Sequence, residues 1–247
     1  MPSAVEPERA DPRGPVGLVG TRAATTIADQ VFAEVRQAIV EGRIPQGSKI
    51  SEPELARQYG ISRGPLREAM RRLESSGLVS RRANVGARVI TLSSDQLLEI
   101  YHVREALEGM AARLAAQRMS EPEIAALQAL VAEHRRQVGL ARGRIRFQRE
   151  GDLDFHYCIV RGSHNRRLIS LLCNDLYYLV RMYRCQFGTT RPRASEAQRE
   201  HDQIADAIAG RDGELAELLM RRHIRTSRRY VETRLDAETR AAGKSTH

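Results

Sequence analysis

A chain of 247 residues, 41% of them hydrophobic, has room for one large domain or two modest ones with apolar cores. Aromatic residues make up only 4% and Trp is absent, so packing must rest on Leu, Ile, Val, Ala and Met, and the dominance of helix formers predicts a mainly helical protein. The formal net charge of +9 favours an anionic partner. Cys158, Cys173 and Cys185, odd in number, argue against a disulfide framework, and no apolar run is long enough for a membrane span.

Residues 1–22, rich in Pro, Gly and charge and lacking a hydrophobic signal core, are expected to form a disordered tail on a cytoplasmic protein. Thr26 and Asp29 then make a capping-box start to a helix that runs to about Glu41 and stops at Gly42, with Ile27, Val31, Val35 and Ile39 on one face. Ile44-Pro45-Gln46-Gly47 reads as a turn, and Ser51-Glu52-Pro53-Glu54 opens a second short helix ending near Tyr59. Gly60 turns the chain into a third helix, with Ser62 as N-cap and Pro65 in the first turn. Along that helix Leu66, Ala69, Met70 and Leu73 form a packing stripe, whereas Arg63, Arg67 and Arg71 recur on another face. Leu78–Arg82 and Ala87–Ile90 read as two strands about a tip at Asn84-Val85-Gly86. Three helices and a β-hairpin make a winged helix-turn-helix, which we place at residues 23–92.

From residue 93 helix follows helix. Ser93 and Gln96 offer a capping box, and helices are predicted near Asp95–Arg118, Glu121–Leu140, Arg144–Arg161, Asn165–Phe187, Glu196–Ala209 and Gly213–Leu235. Ser195 and Gln198 are taken as the start of the fifth of these. The expected fold class is therefore mainly α: an N-terminal winged helix-turn-helix, then an all-α bundle of about six helices over residues 93–238, with 239–247 a frayed tail.

Placement of charge says more than its total. Lys49 and Lys244 are the only lysines, and a GC-rich genome produces an arginine bias by itself. Yet ten bases face four acids between Arg43 and Ile90. A short helix anchored on one side and lined with arginine at its N-terminal end suits reading of the DNA major groove.

The helical half carries a second pattern. Asp152 and His156 stand at i and i+4 on one predicted helix face, and His201 and His223 lie on two later helices among residues that should turn inward. A bundle can bring such residues to one point, and a carboxylate with three imidazoles suits a divalent metal, Zn²⁺ first, with Ni²⁺ or Mn²⁺ as alternatives. The competing reading is that each inward histidine is a hydrogen-bonded core residue. Arg181, set among Leu176, Tyr177, Leu179, Val180 and Met182, needs either an anionic ligand or a salt bridge to Glu105, Glu108 or Asp175. A metal site of this kind can activate water, so a metal-dependent hydrolase with a DNA-binding appendage is the rival class. No nucleophile pair or oxyanion device accompanies the motif.

The run Ile39-Val40-Glu41-Gly42-Arg43-Ile44-Pro45-Gln46-Gly47, with Ser51-Glu52, Leu55-Ala56, Ser62-Arg63, Pro65-Leu66-Arg67-Glu68-Ala69 and Gly77-Leu78-Val79, resembles the GntR family of bacterial transcription regulators. The helical remainder resembles the FCD effector domain of its FadR subfamily. The resemblance implies that Ser62, Arg63, Gly64 and Arg67 read operator DNA and that Asn84 and Gly86 sit at the wing tip. Lys49, Arg81 and Arg82 then fall to backbone phosphates. It also implies that Asp152, His156, His201 and His223 hold a metal and that Arg104, with Arg181 as a second candidate, lies near the effector pocket. The expected protein is a homodimeric, non-membrane regulator, usually a repressor, that binds a pseudo-palindromic double-stranded operator and senses a small organic acid.

Overall fold

The computed structural model describes residues 26–82, 86–140, 154–187 and 190–244. The first helix, α1 (Ile27–Val40), begins where Thr26 and Asp29 satisfy each other: the Asp29 amide donates to Thr26 Oγ1, and the Thr26 amide donates to the Asp29 carboxylate. A two-residue strand β1 (Lys49–Ile50) follows, then α2 (Glu52–Tyr59), α3 (Arg63–Ser75), β2 (Val79–Arg82) and β3 (Gly86–Val89). Gly60 ends α2 in the left-handed region, φ +61, a conformation that glycine adopts without the Cβ penalty. That turn aims α3 across α1. Arg72 of α3 donates to the Asp29 carboxylate at 2.6 Å, so the cap of α1 also ties the two helices.

The sheet order is β1-β3-β2, all antiparallel, with Lys49 opposite Arg88 and Arg82 opposite Gly86. The strand β1 was not expected from the sequence. Its partner lies far along the chain, and two residues carry no alternation to read. Val35, Ile39, Leu66, Met70, Leu73, Leu78 and Val89 form the core of this head.

The second half contains α4 (Ser94–Arg118), α5 (Glu121–Leu140), α6 (Phe155–Gly162), α7 (Arg166–Ile169), α8 (Tyr177–Phe187), α9 (Arg191–Ala209) and α10 (Gly213–Lys244). Arg113 pairs with Glu217 and Glu105 with Arg225, so α4 and α10 run antiparallel. They cross closely at Gly109, where a Cβ would lie 2.6 Å from the Arg221 side chain. Ala112, Ala115, Leu127, Phe155, Ile159, Ile204, Ile208, Met220 and Ile224 fill the bundle core. Among the described residues no helix is long and apolar enough to cross a membrane.

Several expected helix details differ. Ser62 caps α3 in position, but its hydroxyl makes no cap hydrogen bond. The helix predicted from Arg144 starts at Phe155, because the Asp154 carboxylate accepts from the His156 and Tyr157 amides and caps it there. The single helix predicted over Asn165–Phe187 divides into α7, a π-helical segment Ser170–Leu176 and α8. Finally, α9 starts at Arg191 with Pro192 in its first turn, leaving Ser195 inside the helix, and α10 continues beyond Leu235 to Lys244.

Candidate DNA interface and metal centre

Burial sorts the faces of α3. Leu66, Ala69, Met70 and Leu73 are buried, while Ser62, Arg63, Gly64 and Arg67 are exposed on the other side. The arginines of this patch are not equivalent. Arg63 and Arg67 make no ion pair among the described residues, whereas Arg71 pairs with Glu68 at 2.9 Å. Arg81 is held by Glu52 at 2.7 Å and approached by Glu74 at 3.8 Å, so much of its charge is already matched. Arg82 at the end of β2 and Lys49 on β1 are exposed. Gly86, at φ +89, begins β3 beside Lys49, whose Cε would lie 3.7 Å from a Cβ at that glycine. Asn84 lies outside the described residues.

In the bundle, four helices converge on three imidazoles. α6 supplies His156, α9 supplies His201 and α10 supplies His223. The His223 Nε2 lies 3.3 Å from the Nε2 of His156 and 3.3 Å from that of His201, and one ligand atom of each ring lies within 4.8 Å of the others. The other ring nitrogens face carboxylates. His156 Nδ1 is 2.7 Å from Glu108 Oε2 on α4, and His223 Nδ1 is 2.7 Å from Glu200 Oε2 on α9. Each carboxylate is met by an arginine: Arg104 Nε donates to Glu108 at 2.6 Å, and Arg193 donates twice to Glu200 at 3.1 Å. Two Arg–Glu–His chains thus enter the cluster from opposite helices. His201 is set by a third contact, its ring stacked on Phe155 with centroids 4.0 Å apart.

This arrangement fixes the chemistry of the rings. A proton on Nδ1 is held by the carboxylate, leaving the Nε2 lone pair toward the common point, as a metal ligand requires. Burial, then the neighbouring His156 and Arg193, pushes His223 well below its ordinary pKa and keeps it neutral. Burial would raise the Glu108 carboxyl, but Arg104 and His156 overcome it and hold the group ionised far below the usual range. The three-histidine donor set fits a divalent metal. Asp152, the carboxylate expected to join it, lies outside the described residues.

Beside the cluster is a cavity of about 30 Å³, lined among others by Arg104, Glu108, His156, Tyr157, Cys173 and Arg181. Arg104 and Arg181 are both buried at its wall. Arg181 donates to the Gln37 side chain of α1 at 3.1 Å, and the side chain of Asp175, one of its expected partners, lies outside the described residues. Burial pushes the Cys173 thiol up to about 12, which favours its protonated form. Three participants escaped the sequence reading: Glu108, Glu200 and Arg193. The traces they leave are helical spacings, Arg104 four residues before Glu108 and Arg193 seven before Glu200.

Comparison with known proteins agrees with both halves. Residues 27–89 match the bacterial regulatory proteins of the gntR family, and residues 99–226 match the FCD domain. The chain is 34% identical over 205 residues to a "probable D-xylose utilization operon transcriptional repressor" of Paenarthrobacter nicotinovorans, covering 81% of this chain and 86% of that one. It is 26% identical to the HTH-type transcriptional repressor RspR of Escherichia coli strain K12, covering 80% and 86% of the two chains. In fold it is similar to the solved structure of E. coli McbR/YncC, with a TM-score of 0.66 at 21% identity over 85% of this chain and 99% of that one. The relatives are transcriptional regulators, not enzymes.

Proposed function

The chain belongs to the GntR family of bacterial regulatory proteins, FadR-like subfamily with an FCD domain, and is a DNA-binding transcriptional regulator; from that premise we propose that it is a homodimeric repressor whose grip on a palindromic operator is set by a small carboxylate bound beside a metal. The observation that carries this reading is the three-histidine cluster lying next to a cavity with two buried arginines. His156, His201 and His223 would hold the metal, and Asp152 is proposed as a fourth ligand. A divalent ion, with Zn²⁺ proposed first, would offer open coordination positions to a ligand oxygen. Arg104 and Arg181 supply positive charge at the same wall.

The DNA-binding domain is placed at 23–92 and the effector domain at 93–238. Ser62, Arg63, Gly64 and Arg67 are assigned to base reading, Asn84 and Gly86 to the wing contact, and Lys49, Arg81 and Arg82 to phosphates. Support for a dimer comes from α4, where exposed Val103 and Met110 alternate with half-buried Leu107 and Leu114 along one stripe. Both relatives named above are described as repressors.

The test pairs metal analysis with a band shift on DNA upstream of its own gene, using metal-loaded protein and a panel of small carboxylates. Retardation that a carboxylate reverses supports the reading. Retardation that no carboxylate alters, with no heat of carboxylate binding to the metal-loaded protein, would leave the metal a purely structural role.

A further inference from the structure

An open groove of about 620 Å³ lies between α9 and α10. It shares no lining residue with the cavity beside the histidine cluster, and its volume is within the ~300–1,000 Å³ usual for small-molecule sites. On α10 the lining residues Thr226, Arg229, Tyr230 and Thr233 follow at i, i+3, i+4 and i+7. That spacing presents one helix face to a neighbour and normally carries apolar side chains. Here the adjoining positions do the packing. Val231 is buried in the bundle core, and Ser227 is reached by Arg193 of α9 at 2.8 Å. The stripe beside them stays polar and lines the groove. Tyr230 ties the two walls together, its hydroxyl accepting from the Thr190 amide ahead of α9 at 3.2 Å.

The charges of the groove differ in their commitments. Arg193 is buried and bonded to Glu196, Glu200 and Ser227, so it and the acid of the described lining, Glu196, answer each other. Arg234 lies over the Tyr230 ring. Arg199 of α9 and Arg229 of α10 are exposed at the groove and make no ion pair among the described residues. Two guanidinium groups brought to one concavity from two helices repel each other, and an anion between them reverses that. The threonines add a second demand. Thr226 Oγ1 donates to the Arg222 carbonyl and Thr233 Oγ1 to the Arg229 carbonyl, each at 3.0 Å. Their hydrogens are spent on the helix, and what they offer the groove is an acceptor oxygen. Acceptors beside arginines suit a ligand that carries an anionic group and hydroxyl donors together.

We propose that the α9–α10 groove binds a phosphate monoester of a small hydroxylated compound, its phosphate held between Arg199 and Arg229 and its hydroxyls donating to Thr226 and Thr233. A phosphate monoester has three terminal oxygens to meet guanidinium groups arriving from two helices, whereas a carboxylate offers two in one plane. The site is independent of the metal and carboxylate reading. It nevertheless abuts the same framework, since Arg193 forms part of its wall and holds Glu200, the carboxylate that meets His223.

The test is calorimetric titration of the full-length protein at constant ionic strength, with glycerol 3-phosphate and inorganic phosphate as probes and glycerol as the neutral control. Glycerol 3-phosphate should bind more tightly than inorganic phosphate, and glycerol should give no heat beyond dilution. Arg199→Gln and Arg229→Gln, both at exposed positions, should each weaken binding of the monoester by about 10-fold or more. Thr233→Val, close in shape, should bring glycerol 3-phosphate toward the affinity of inorganic phosphate and leave the latter unchanged. Arg63→Ala in the DNA-binding head should move neither probe, which separates the groove from the arginines of α3.

Monoester binding that survives when Arg199 and Arg229 are both replaced by Gln places the anion elsewhere and overturns the proposal. Loss of that binding in Arg63→Ala, with both groove variants like the wild type, does the same. Equal affinities for the two phosphates, unmoved by Thr233→Val, overturn the assignment of the hydroxyls to the threonines. A wild type that binds neither probe overturns the site altogether, and weaker DNA retardation by the two arginine variants would then make the groove a nucleic-acid contact instead.

Discussion

A histidine offers its Nε2 to a metal only if something holds the proton on Nδ1, and in this bundle a carboxylate does so for both His156 and His223. Glu200 is the cleaner of the two to test. If it is replaced, Arg193 still keeps Glu196 at 3.1 Å and Ser227 at 2.8 Å, whereas loss of Glu108 would strand the buried Arg104. Glu200→Gln, whose amide can present a donor to Nδ1 and favour the wrong tautomer, should weaken metal binding by about 10–100-fold. Competition with a chromogenic chelator reads that loss, and circular dichroism checks that the fold is kept. An unchanged affinity would remove the orienting role. On the DNA side the same residue-level logic separates arginines of equal charge. Arg63→Ala or Arg67→Ala should cost about 1–3 kcal/mol on the operator and relax its specificity. Arg82→Ala should weaken all sequences alike and lower the salt slope by about 1. Arg81→Ala should change that slope less, because Glu52 and Glu74 already face its guanidinium. Equal slopes for the two variants, measured by salt-dependent anisotropy titration, would contradict this ranking.

Elements were legible where their signals are local. The capping box at Thr26 and Asp29, the stripe of Leu66, Ala69, Met70 and Leu73, and the box at Ser93 and Gln96 are each written within a few residues, and each is found in the structure. The three histidines were singled out through the resemblance to the FCD domain, because spacing alone also fits hydrogen-bonded core residues, and the structure brings their rings together. What was not legible depends on partners far along the chain. The strand β1 exists through β3, and the roles of Glu108 and Glu200 exist through rings 48 and 23 residues away. Where two local signals compete, the sequence alone does not choose between them. Ser195 and Gln198 offered one start for α9, yet Pro192 occupies the first turn of an earlier one. The cap of α1 also carries a pH dependence. Hydrogen bonds from Thr26, then Arg72, lower the Asp29 carboxyl to about 2 from an ordinary value of 3.8. Its folded pKa is depressed, so its stabilising contribution is complete above about pH 4 and is lost as the pH falls toward 2. Asp29→Asn should therefore flatten the acid limb of unfolding in that window. Acid titrations of both proteins by circular dichroism should diverge there, and superimposable curves would show that the cap contributes nothing to acid stability.

At the scale of the whole molecule, α8 joins the helical bundle to the DNA-binding head, and Met182 is the residue on which this can be tested. Its side chain is fully buried, but among head residues from α1, α3 and the sheet rather than in the bundle that supplies its helix. Met182→Ala leaves a cavity there, and such truncations cost about 2–5 kcal/mol. The loss should fall on the head, because no described ligand of the metal cluster lies on α8. For a unit of 60–100 residues each kcal/mol moves the melting temperature by about 4–8 °C. Calorimetric unfolding of Met182→Ala should therefore show the head melting ahead of the bundle, with metal affinity below that transition equal to the wild type. A double variant with Gln37→Leu should separate the transitions further, since both contacts hold α8 to the head. A single transition, lowered as a whole and accompanied by weaker metal binding, would mean that the halves unfold as one unit.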